Sequence, residues 1–161
     1  MDRIVGSRQQ IAAHGWRQTG RIWLWRYVEN IRNYPGWHVT ADAQGAASLL
    51  GLLGLLDTLN QGGADSARTV QISAPSASIL AVPNNRRAAW HAPARLRVGT
   101  SANEEEWRLT AEDQSAALTV GSGWRPVLQL ALVGIAEGRG DYAIGPSGKQ
   151  QLTIWWCNAD R

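Results

Sequence analysis

Apolar residues recur along this chain with two periods, and the switches between them mark most of its elements. In "AQGAASLLGLLGLLDTLN", residues 43–60, leucines stand at 49, 52, 53, 56 and 59, the spacing of one helix face. Asp42 precedes it as an N-cap, and "NQGG" ends it. "GSGWRPVLQLALVGIAEG" predicts another helix, with Pro126 in its first turn and Gly138 at its stop. Between them lie segments of period two. "WHVTAD" reads as a short strand, and "RTVQIS" puts Val70 and Ile72 on one face. "RLRVGT" turns Leu96 and Val98 inward and Arg95 and Arg97 outward. "EEWRLTAEDQSAALTV" predicts a hairpin that pairs Trp107 and Leu109 with Leu118 and Val120; "DYAIG" and "QLTIWWC" predict a second around "PSGKQ". The stretch 74–93 is a long connection with three prolines and a helical turn at Ala77 to Leu80.

"RIWLWRYVENIRNYPG", residues 21–36, fits either period. As a strand its apolar residues fill both faces from Ile22 to Leu24. As a helix Leu24, Tyr27, Val28 and Ile31 line one face, with Arg26, Glu29 and Arg32 largely opposite. The longer stripe predicts a helix that stops at Tyr34-Pro35-Gly36. The resulting order predicts an α+β fold, a mainly antiparallel sheet with about three helices packed on one face. "WHVTADAQGAA" (37–47) and "WRLTAEDQSAA" (107–117) resemble each other, yet one reads as strand into helix and the other as a hairpin. Chance similarity of small residues is the preferred explanation.

Length adds that residues 1–161 make one domain, with 1–20 as a loose N-terminal arm. Hydrophobic residues at 44% and charged residues at 18% suit a packed core. The single cysteine, Cys157, permits no internal disulfide and suits a reducing compartment. The longest apolar run, residues 46–56, is about half the ~20 residues of a spanning helix. No apolar stretch near the start has the length of a secretion signal's core. The expectation is a cytoplasmic, bacterial-type protein with no membrane contact.

Charge and composition then supply candidate chemistry. The net charge of +3 rests on arginine, since Lys149 is the one lysine, and it is weak support for nucleic acid. Nine tryptophans with three tyrosines and no phenylalanine are unusual. Trp23, Trp25 and Tyr27 fall within five positions, and on a helix they cannot all face one core. Trp155 alternates with Trp156 on the last strand. Trp23, Trp25 and Trp155 are therefore the candidate partner-binding surface, for another protein or a second copy; their plainer role is core packing. The loop 84–97 carries Arg86, Arg87, Arg95 and Arg97 around Trp90 and His91, a pattern suited to phosphate contact and base stacking. Its plainer role is a solvated connection. His38 with Asp42 or Asp141 is the candidate for a dispersed catalytic site, against a cap at Asp42 and an exposed His38. His14, His38 and His91 lack metal-ligand spacing, "GRGDYAIGPSG" follows a helix instead of opening one, and no cofactor is indicated. The leading expectation is a non-catalytic binding domain; nucleic-acid binding through 84–97 and a small enzyme are the alternatives.

Overall fold

The computed structural model describes residues 15–61 and 66–158. Among the described residues nine strands form two sheets: β1 (Ile22–Tyr27), β2 (Trp37–Ala41), β3 (Ala67–Gln71), β4 (Trp90–His91), β5 (Arg95–Thr100), β6 (Trp107–Glu112), β7 (Ser115–Val120), β8 (Tyr142–Ile144) and β9 (Leu152–Ile154). The helices are α1 (Ala43–Gln61), the five-residue α2 (Ala77–Ala81) and α3 (Arg125–Ala136). The first sheet has the order β4-β1-β2-β9-β8 and the second β3-β5-β7-β6. Each contains one parallel pair, β2 with β9 and β5 with β7; the other pairings are antiparallel. The class is α+β, as the patterning predicts.

Two corrections follow. There are two sheets, not one, and the helices do not share one face. Helices α1 and α3 pack together, and their apolar faces join the inner faces of both sheets in one core of Ile22, Leu24, Val39, Leu53, Val98, Leu118, Leu132 and Ile154 among others. The short α2 lies on the opposite side of the first sheet, where Ile79 and Leu80 pack on Trp23, Trp25, Tyr27 and Trp155.

The second correction concerns residues 21–36. Ile22 to Tyr27 is a strand paired with β2, not a helix. It has sheet neighbours on both sides and cores on both faces, so its burial is nearly continuous and period two is hidden. Val28 and Ile31, which completed the helical stripe, stand exposed in the turn that follows. On a strand positions 23, 25 and 27 share a face. The three aromatics therefore do face one core, the smaller second one.

The remaining elements match their sequence signals. Asp42 Oδ1 accepts the Gly45 N–H at 2.7 Å, and its carboxylate also accepts the Arg21 N–H at 3.0 Å. A side chain at Gly45 would collide with the Arg21 carbonyl, so the chain entering β1 crosses the start of α1 closely. The N-terminal arm is anchored over 15–20. Trp16 Nε1 donates to the Ser48 carbonyl on α1, and the Gln18 amide exchanges two hydrogen bonds with the Gln71 backbone on the edge strand β3. Residues 1–14 of the expected loose arm lie outside the described residues.

The topology contains an internal two-fold repeat. The order β1-β2-α1-β3-β5 recurs as β6-β7-α3-β8-β9, and each sheet combines the first hairpin of one half with the last hairpin of the other. The registers agree as well. Ile22 opposite Ala41 corresponds to Trp107 opposite Val120, Trp37 beside Leu152 to Ala116 beside Leu96, and Ile144 opposite Leu152 to Val70 opposite Leu96. From β2 into α1 the match has no gap: Val39, Thr40, Leu49, Leu53 and Leu56 correspond to Leu118, Thr119, Leu128, Leu132 and Ile135. The sequence echo of 37–47 with 107–117 does not mark this repeat, because it aligns β2 with β6, which are not equivalent strands. Helices α1 and α3 run antiparallel, with buried Arg125 at the start of α3 paired to Asp57 near the end of α1 at 2.6 Å.

Candidate functional site

Trp23, Trp25 and Trp155 are buried, at 3%, 0% and 7% exposure. The expectation that one of them reaches an open surface is corrected: β9 is an inner strand, and α2 with its flanking loop packs over Trp23, Trp25 and Trp155 on the outer face of the sheet. Their common centre is His38. Its ring lies near-parallel to those of Trp25 and Trp155, at 5.8 and 6.2 Å between centroids, and meets Tyr27 edge-on at 4.9 Å. Trp155 Nε1 lies 3.0 Å from His38 Nδ1. An indole N–H only donates, so Nδ1 accepts and the ring proton sits on Nε2, 3.4 Å from the Tyr34 carbonyl.

This arrangement holds His38 neutral. Burial lowers its pKa from 6.5 to about 4, opposed by the Tyr34 carbonyl. A proton on Nδ1 would also face the Trp155 N–H, donor against donor. Burial likewise pushes the Tyr27 phenol up. The sequence expectation of an exposed His38 is therefore corrected, and an imidazole engaged at both nitrogens serves to fix the sheet and its aromatic neighbours.

The other two members of the expected catalytic set separate. Asp42 is the cap of α1. Asp141 lines the same cleft as His38, about 550 Å³ between the turn after β1, the Val82-Pro83 segment and β9. Tyr34 Oη donates to the Pro83 carbonyl at 2.8 Å and ties two of these walls together. Trp155 forms part of the floor, and Trp156, 38% exposed, stands at its rim.

The six basic-loop residues divide between the two sheets. Arg86 and Arg87 are exposed in the connection after α2. Trp90 and His91 form β4 at the edge of the first sheet. Arg95 and Arg97 are exposed on the outer face of the second sheet, in a shallow hollow of about 430 Å³ with Thr69, Thr110, Glu112 and Ser115. No aromatic residue lines that hollow, so it offers phosphate contacts without a stacking platform.

The surface that the sequence reading missed is on α3 and the last hairpin. Val127, Leu130 and Val133 project from α3, with Leu130 69% exposed. Leu130 joins Tyr142 and Trp156 around a groove of about 590 Å³ lined also by Gly134, Gly138, Gly140 and the exposed Arg139. The repeat shows what is unusual here. The position on α1 that matches Leu130 is Gly51, which is itself exposed and has Trp16 beside it. Where α1 carries no side chain, α3 carries an exposed leucine. The available signal was α3 itself: "PVLQLALVGIA" is apolar on nearly every side, with Gln129 its one polar side chain, as expected of a helix with contacts on two sides.

Among the described residues no cluster of His, Cys, Asp or Glu could hold a metal ion, and no helix is long and apolar enough to cross a membrane. Comparison with known proteins finds no matching family model, no matching curated protein and no matching solved structure.

Proposed function

We propose that this protein acts by binding, and that its docking face is the apolar surface of α3 and the β8–β9 hairpin, occupied by a second copy of the chain. The observation that carries this reading is the cluster of Val127, Leu130, Val133, Tyr142 and Trp156, all more than a third exposed on neighbouring elements. Monomers rarely leave such a patch in water. A two-fold interface requires one surface to fit itself. This one sets a projecting Leu130 beside a glycine-lined groove, so each copy can place its leucine in the other's groove. After Arg125 the helix has no charged residue through Ala136, and Arg139, which lines the groove, is paired with Glu137, so like-charge repulsion between two copies is limited. The neutral, doubly engaged His38 supports binding over acid–base catalysis.

Sedimentation over a concentration series tests the proposal. The chain should form a dimer that Leu130→Glu disrupts. A central interface residue contributes about 2 kcal/mol or more, equivalent to at least a thirtyfold fall in association constant. Leu130 is a surface residue, so the circular dichroism of the variant should match that of the parent. A parent chain that stays monomeric at high concentration overturns the reading.

A further inference from the structure

We propose that the cleft beside Trp156 binds a neutral, polyhydroxylated ligand of the pyranose type. Trp156 also borders the self-association face proposed above, so the monomeric Leu130→Glu chain separates the two proposals. A volume of about 550 Å³ lies within the range of small-molecule sites. Its lining combines one aromatic wall with hydrogen-bonding groups of both kinds. Trp156 is the wall, and its edge-to-face contact with buried Trp155, at 67° and 6.2 Å, fixes the plane of its ring. A rigid indole face suits the C–H face of a sugar ring, because it provides contact area at little entropic cost.

The polar groups are set in advance. Asn33 Nδ2 donates to Asn30 Oδ1 at 2.8 Å, which orients both amides and leaves Asn33 Oδ1 as an acceptor. Gln151 Oε1 accepts from the Gly148 N–H at 3.0 Å, which leaves the Gln151 amide donors unused. Thr153 contributes a hydroxyl and Asp141 a carboxylate. Asn30 and Asp141 have φ of 56° and 71°, conformations that non-glycine residues adopt at a cost, and both line this cleft. Hydroxyl groups both donate and accept, so they match this mixture of donors and acceptors. No Lys or Arg lines the cleft, and His38 is neutral, so a phosphate or carboxylate would find no counter-charge. Asp141 is the one charged group there.

Saturation-transfer NMR tests this with the whole chain. The probes are glucose, galactose, mannose and N-acetylglucosamine, β-linked disaccharides of the same sugars, choline and inorganic phosphate. At least one sugar should bind saturably at millimolar concentration. Asn33→Ala, Asp141→Asn and Trp156→Ala should each weaken it by at least about tenfold, with unchanged circular dichroism. Tighter binding of the disaccharide identifies a glycan chain as the source of the ring; equal binding identifies a single sugar. The monomeric Leu130→Glu chain should bind the same sugar as the parent, so the two proposals fail separately. The inference is overturned if no sugar saturates, if choline or phosphate binds in place of sugar, or if the three variants bind as the parent does.

Discussion

His38 is the residue on which the first sheet's outer face is organised, and its protonation gives a direct test. In the unfolded chain the imidazole titrates at its ordinary 6.5, and in the fold at about 4. The unfolded chain therefore takes up the proton first as pH falls. The stability tied to neutral His38 is complete above pH 6.5 and is lost on descent towards pH 4, by roughly 3 kcal/mol over that window. Urea unfolding at pH 7 and pH 4 should show this loss in the parent and a smaller pH dependence in His38→Gln. Equal slopes in both chains would mean that His38 is not held neutral. The sequence did not reveal this role. His38 sits on β2, while the tryptophan that donates to it lies on β9, brought alongside by a parallel pairing that no local pattern encodes.

At the scale of elements, the hairpins, α1 and α3 were legible because each carries local signals: alternation with turn residues, or helical spacing with a cap or stop. Asp42 shows how local the signal is, since it serves the first turn of α1 and the incoming Arg21 backbone together. Asp42→Ala should cost about 1–2 kcal/mol in equilibrium unfolding, and Asp42→Asn should recover part of it. Strand β1 was misread because its identity depends on what covers it. Tertiary packing filled both faces, and the two exposed residues after it, Val28 and Ile31, imitated a helix. Three positions of the helical stripe separate the readings. Leu24→Ala should cost about 2–5 kcal/mol, as for other buried leucines, while Val28→Ser and Ile31→Ser should fall within about 0.5 kcal/mol of the parent. A costly Ile31→Ser would restore the helix. The exposed side of α3 was missed for a related reason. Leu128 and Leu132 are buried and Leu130 between them is not, so the apolar run hid two faces with different fates.

For the whole molecule, the repeat turns one chain into two similar halves, and the differences between them locate the proposed surfaces. One sheet has its outer face covered by α2, with the polar cleft at that cover's margin. The other presents Arg95, Arg97, Thr110 and Glu112 to water. One central helix has Gly51 at its exposed position; the other has Leu130 bare at the equivalent place. The repeat escaped sequence reading because corresponding positions share apolar character more than identity, and its halves exchange hairpins in space. The central claim is that the bare face of α3 meets its own copy. An isotope-filtered NOE experiment on an equal mixture of labelled and unlabelled chain measures this most directly. The account predicts intermolecular NOEs from the Leu130 methyl groups to Gly134 and Tyr142 of the other copy. Absence of intermolecular NOEs at high concentration, or NOEs confined to the second sheet, would contradict it.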